Sequence, residues 1–365
     1  MPFSPTKRQG TLLGISFVAI IAVVSTLISK IEEVQSLGIS PLVVGIVIGI
    51  VFANTLHSKM PSSWETGITF SAKKILRFAI VFYGFRITFQ QIGEVGIEGF
   101  LVSLLMLSST FFLGTWLGTK VFKMDEDTSM LTASGASVCG AAAVLATEPV
   151  LKAEEHKTAI AVSMVVLFGT ISMFLYPVLY TAIFEQASGF LHMTAREFGI
   201  YVGGTIHEVA QVVAVPASIP ITETNTKELA DIMSNSAVIV KMTRVIMIAP
   251  MLIVLGIYLS YKAKKSGGES SAVKLVIPWF AVYFIMVAGF NSLSFMQTES
   301  IKAIVTYINE IDTFLLTMAM TALGIGTRFA KFKGLGLAPV YTALGMFVWL
   351  VLGGFVITKV ICHIF

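Results

Sequence analysis

The chain has 365 residues, 55% of them hydrophobic and only 13% charged, with a mean hydropathy of +0.85. Soluble domains carry about 25% charge, so composition excludes that class and leaves a polytopic membrane protein. The net charge of +4 then reads as a topology signal and not as a nucleic-acid footprint.

The N-terminus, MPFSPTKRQG, is short and basic and shows no small-residue cleavage site, so the first apolar run is read as a retained span. Eleven apolar stretches follow, each long enough to be a candidate span: about 11–28, 40–56, 72–90, 99–122, 128–150, 157–184, 195–219, 230–260, 274–293, 303–326 and 334–363. SSWETGITFSAKK, before the third, is amphipathic and suits the membrane interface. The loops are too short for a soluble domain, so residues 11–365 read as one membrane domain behind a cytoplasmic stretch at 1–10. With eleven crossings, one face collects sixteen basic residues, among them Lys120, Lys123, Arg196, Lys262, Lys274, Lys331 and Lys333. The other collects seven: Lys30, Arg86, Lys152, Lys157, Lys227, Lys302 and Lys359. The positive-inside rule places the N-terminus in the cytoplasm and the C-terminus outside.

Two pairs of segments resemble each other. PLVVGIVIGIVFANTL (41–56) matches PWFAVYFIMVAGFNSL (278–293), each led by Pro and ending Asn-x-Leu. ILRFAIVFYGFRITF (75–89) matches FLLTMAMTALGIGTRF (314–329). The copies are an odd number of spans apart, so they are expected in opposite senses, as in the inverted repeats of secondary transporters. A further likeness, between GASVCGAAAVLATEP and GTIHEVAQVVAVPAS, runs parallel if both are full spans. Either segment could instead be a re-entrant hairpin.

The chemistry concentrates in these last two segments and in the eighth span. GGTIHEVAQVVAVP (203–216) places His207, Glu208 and Gln211 in the middle of an apolar run, between Gly203-Gly204 and Pro216, which can interrupt a helix. Ionisable groups at that depth are expensive and point to a cavity or a partner. His207-Glu208-x-x-Gln211 resembles the zinc motif H-E-x-x-H, but an amide at the last position is a poor zinc ligand, and no metal or cofactor is expected. Glu208 is the natural proton carrier. Ser134-Gly135-Ala136-Ser137-Val138-Cys139-Gly140 is small and polar; it suits either close packing or a broken helix that offers Ser137, Cys139 and Gly140 to a ligand. Cys139 and Cys362 are too far apart in sequence to suggest a disulfide framework. Lys241 and Arg244 share one helix face and are expected to supply positive charge to an anion and to pair with Glu208.

SGASVCGAAAV, GGTIHEVAQVV, VKMTRV and YGFRIT resemble the YeiH-like bacterial membrane family that carries the name sulfate exporter. The likeness covers the chain from its first span to its end, although family members often carry Ser where this chain has Ala142. It implies a multi-pass protein of the bacterial inner membrane with inverted repeats and broken helices. The expectation is an all-α transporter, not an enzyme, that carries a small anion such as sulfate or a sulfonate, lies in membrane lipid and is compatible with a homo-oligomer. Ser137, Cys139, Gly140, His207, Gln211, Lys241 and Arg244 would bind substrate, and Glu208 would couple protons. The alternatives are an anion channel and, further off, an intramembrane enzyme.

Overall fold

The computed structural model describes residues 3–5, 7–32, 34, 40–222, 225–265, 278–328, 330 and 336–365; Lys274, Lys331 and Lys333 lie outside them. Among the described residues there is no strand, and each of the eleven apolar stretches contains helix. In chain order the helices are α1 (Arg8–Ile28), α2 (Pro41–Thr55), α3 (65–86), α4 (Phe89–Val121), α5 (Glu126–Ser137), α6 (Ala141–Leu151) and α7 (Glu155–Phe184). They continue as α8 (Ala195–Thr205), α9 (Val209–Ala214), α10 (Lys227–Ile246), α11 (Ile248–Lys265), α12 (Trp279–Asn291), α13 (Glu299–Gly326) and α14 (Leu337–Ile364). Six described segments are long and apolar enough to cross a bilayer, and four shorter apolar helices accompany them. The protein is an all-helical polytopic membrane protein.

The chain forms two compact units. Unit 1 comprises Met1–Glu94, Val213–Asn235 and Phe280–Phe332; unit 2 comprises Val95–Val212, Ser236–Trp279 and Lys333–Phe365. Unit 1 holds both copies of the repeat, and their helices exchange partners. The first helix of copy one, α2, lies against the second helix of copy two, α13. Gly49 and Gly324 allow this, because a Cβ on Gly49 would meet the Thr321 carbonyl and one on Gly324 the Ile46 carbonyl. The reverse pairing, α12 on α3, is less extensive but also passes a glycine, Gly84, where a Cβ would sit 2.8 Å from the Phe284 carbonyl oxygen. The two matching asparagines follow the same exchange. Asn54 donates to the Thr327 carbonyl at 3.0 Å, and Asn291 donates to the Ile87 carbonyl at 3.1 Å. Each amide thus satisfies a carbonyl beyond the helix end of the other copy. Such reciprocity is what a two-fold relation between the copies produces.

In unit 2 the fifth stretch is a hairpin. Asp125 caps α5 by accepting from the Thr128 N–H at 3.0 Å. The chain then turns back at Val138–Gly140, where Gly140 has φ +72°, a conformation that favours glycine. The Gly140 N–H closes the turn on the Gly135 carbonyl at 3.0 Å, and Gly135 leaves room for Val144 on the returning arm. Both ends emerge together: Lys157, just after the hairpin, pairs with Asp125 at 3.2 Å and Asp127 at 3.0 Å, just before it. Burial alone would raise the Asp125 carboxyl, but Thr128 and Lys157 hold it below its ordinary value. Lys157 therefore does not lie opposite the 120–127 loop, as a full crossing by 128–150 would require. Of the two options the sequence leaves open for this segment, the hairpin is the one observed.

Single cysteines at Lys120 and Glu155, in a background with Cys139 and Cys362 replaced by serine, should be labelled by an impermeant thiol reagent from the same face of the membrane. Labelling from opposite faces would reinstate a crossing by residues 128–150.

Candidate functional site

The second interrupted helix has a different cause from the first. Thr194 and Glu197 form a capping box that starts α8, with the Thr194 N–H on Glu197 Oε2 at 2.8 Å and the Glu197 N–H on Thr194 Oγ1 at 3.2 Å. The helix runs to Thr205 and opens at Ile206–Glu208, and α9 begins at Val209. The break comes after Gly203-Gly204, not at them. A Cβ on Gly203 would collide with the Ala237 carbonyl of α10, so this glycine brings α8 and α10 into backbone contact.

That approach lets two fully buried cations reach both breaks at once. Lys241 Nζ donates to three carbonyls, Val138, Ile206 and His207, each at 2.7 Å. Arg244 donates from Nε to Ser137 at 3.0 Å, from Nη2 to Ser137 at 2.5 Å and Ala136 at 3.1 Å, and from Nη1 to Gly204 at 2.6 Å. All of these acceptors are last-turn or break carbonyls of α5 and α8. A helix end leaves its last carbonyls unpaired and carries roughly half a negative charge, so two such ends face two positive charges. The sequence suggests that these cations hold a ligand directly. In the structure the three ammonium protons of Lys241 and all three nitrogens of Arg244 are engaged by backbone instead.

The opposite ends of the breaks face acidic and amide side chains. Glu208 is 8% exposed, and its Oε1 accepts from the Ala141 N–H at 3.3 Å, which puts a carboxylate at the start of α6. Gly140 is required there twice over, by its positive φ and because a Cβ would come within 2.6 Å of Glu208 Cγ. Gln211 Oε1 accepts from the Glu208 N–H at 3.2 Å and so starts α9. The Gln211 amide lies against Gly169 of α7, a contact residue that sequence reading passes over. His207 is 2% exposed, and its Nδ1 has no hydrogen-bond partner among the described residues. Ser137 turns its hydroxyl back to the Ser134 carbonyl at 3.2 Å and gives its own carbonyl to Arg244; Cys139 is buried in the turn. All eight residues picked out by sequence are thus in unit 2, at or beside the two helix breaks. Among the described residues no cluster of His, Cys, Asp and Glu is arranged to hold a metal ion. Unit 1 holds an ion pair that the sequence does not bring together, Arg86 with the buried Asp312 at 3.3 Å.

An all-helical membrane protein with two interrupted helices, held at their breaks by buried cations, is the class that fold and site define. Residues 13–343 match the family model described as conserved hypothetical protein 698. The chain is 45% identical to a UPF0324 membrane protein of Bordetella pertussis over 97% of its own length and 96% of that protein's. It is 44% identical to a UPF0324 membrane protein of Pseudomonas putida, covering 98% and 95%, and 44% identical to the UPF0324 inner membrane protein YeiH of Escherichia coli, covering 95% and 93%. The chain belongs to the UPF0324 membrane protein family.

Lys241→Met would leave the Val138 and His207 carbonyls without a donor and Ile206 with only its long contact to Arg244, at about 1–3 kcal/mol for each carbonyl stranded. We expect a large loss of thermal stability or of folded protein. Gly203→Ala should destabilise by about 1–3 kcal/mol through overpacking on α10. Melting curves of the purified variants check both. A Lys241→Met protein as stable as wild type would remove the helix-end role.

Proposed function

We propose that the protein is a secondary transporter of a small anion, sulfate or a related oxyanion or sulfonate, with a proton as the coupled ion. The observation that carries this reading is the charge around the two breaks. Lys241 and Arg244 contribute two positive charges and Glu208 one negative, while the helix ends, two carbonyl and two amide, roughly cancel. The local excess is about one positive charge in a low-dielectric setting, and an anion relieves it. Lys241 and Arg244 act on the substrate through this field. Contact falls to the unpartnered Nδ1 of His207, to Gln211 and to the amide ends at Gly140 and Ala141.

Glu208 occupies the position an anion would take at the start of α6. The exchange follows from that: as the anion arrives, the Glu208 carboxylate releases the Ala141 N–H and takes up a proton. Proton and anion then move in the same direction. The chain reads as a carrier and not as an enzyme, because the pattern supplies a charged, interrupted-helix site of the kind that transporters place near the bilayer midplane.

Topology supports the same reading. With 126–151 as a hairpin, Lys152 and Lys157 join the basic face, and ion pairs move Arg196 off it. Arg196 meets Glu98 at 2.8 Å, and its neighbour Glu197 meets Lys359 at 2.7 Å. Seventeen basic residues then face six. This arrangement makes 195–218 a second hairpin, entering from the other side, with the N-terminus in the cytoplasm and the C-terminus in the periplasm of a bacterial inner membrane. The two similar Gly-led segments become inverted and no longer parallel.

Transport of radiolabelled sulfate and ethanesulfonate into proteoliposomes, with and without a proton gradient, tests the proposal. Wild type should accumulate one of them with the gradient and exchange it for unlabelled anion. Glu208→Gln should retain anion binding and exchange but lose pH dependence and gradient-driven accumulation. Flux without counter-substrate exchange would mark a channel, and wild-type pH dependence in Glu208→Gln would remove the coupling role.

A further inference from the structure

Unit 1 contains a cavity of about 750 Å³ that shares no lining residue with the helix breaks. Its formal charge is positive: Arg86, Lys227 and Lys302 line it, against Asp231 in the lining and Asp312 behind Arg86. On the topology above, these three are half of the six basic residues on the cation-poor outer face. The positive-inside rule disfavours cations there, so their convergence on one cavity calls for a local reason.

Arg86 is the most firmly placed of the three. Its Nη2 donates to the Asn309 carbonyl at 2.6 Å, to Thr313 Oγ1 at 2.8 Å and to Asp312 Oδ2 at 3.3 Å. Its guanidinium carbon lies 5.1 Å from the Tyr83 ring centroid. The side chain is 28% exposed, whereas that of Asp312 is fully buried. Nη2 is therefore fixed to α13, and Nε, on the same edge of the guanidinium, has no partner among the described residues. A guanidinium held in this way is a fixed positive charge on the cavity wall, placed to attract an oxyanion. The amides of Gln91 and Asn235 supply neutral donors around it.

Size narrows the ligand. A bare inorganic ion fills a small part of such a space, whereas cavities of about 300–1,000 Å³ suit organic molecules. We propose that the cavity of unit 1 binds a small organic acid, with its carboxylate or sulfonate head on Arg86 and its charge matched by Lys227 and Lys302. This does not rest on the transport reading of the helix breaks, since none of their residues takes part.

Isothermal titration of purified full-length protein with succinate, ethanesulfonate, inorganic sulfate and ethylammonium tests the proposal. Succinate or ethanesulfonate should bind wild type more tightly than sulfate, with affinity that falls as salt is raised. Lys227→Gln and Lys302→Gln change exposed side chains and should each weaken binding by about three- to tenfold through lost charge. The double variant Arg86→Gln/Asp312→Asn removes the pair without stranding a buried charge and should abolish the binding of succinate, which is not among the anions proposed for the helix breaks. Glu208→Gln should bind succinate as wild type does. The proposal is overturned if no organic acid binds wild type, if both lysine variants keep wild-type affinity, if ethylammonium binds in preference, or if Glu208→Gln alone loses binding.

Discussion

Two charged side chains with no exposed surface, Lys241 and Arg244, set the terms for unit 2. A buried, uncompensated charge costs several kcal/mol, and so does a buried, unpaired backbone carbonyl. Each problem is the other's remedy here. Lys241 and Arg244, one turn apart on α10, reach seven carbonyls on two helix ends. Without the breaks the cations would have nothing to meet; without the cations the breaks would leave buried backbone unpaired. The hairpin turn at Val138–Gly140, the open backbone at Ile206–Glu208 and the close contact of α8 with α10 at Gly203 all follow from this mutual requirement.

The arrangement also explains why these interrupted helices can exist in an apolar setting at all. Membrane-depth backbone departs from helix only where protein or a cavity satisfies it. Unit 2 satisfies the carbonyl ends with fixed cations and leaves the amide ends to groups that can change, the Glu208 carboxylate and the Gln211 amide. The rigid half and the exchangeable half of each break are therefore chemically different. An exchangeable half suits a ligand that must both arrive and depart.

Much of this was legible in the sequence, for identifiable reasons. Hydropathy finds all eleven helical stretches, because burial in lipid demands long apolar runs whatever their path. The polar centres around Ser137 and His207 stand out for the same reason. Path is harder to read. Residues 128–150 are apolar enough to cross, and their return shows only through Gly140's φ and through ion pairs between loops that hydropathy places on opposite faces. The use of Lys241 and Arg244 was also hidden, since a cation on backbone carbonyls and a cation awaiting an anion have identical sequences. The pairing of Arg86 with Asp312 could not be read either, because the two are 226 residues apart and position along a span is a poor guide to burial: Asp312 is 1% exposed near the middle of α13. The repeat, in contrast, could be read from Asn54 and Asn291, whose matching places become matching hydrogen bonds.

The partner exchange in unit 1 sets a schedule for making the protein. Asn54 must wait for a carbonyl 273 residues further along the chain. At about 5–20 residues per second, that is roughly 15–55 s during which α2 is in place before α13 has been made. Over that interval the glycine face of α2 has only lipid and earlier helices for company. A nascent chain in this condition is a natural client for insertase or chaperone contacts, and its final assembly is a late event, governed by the last third of the sequence.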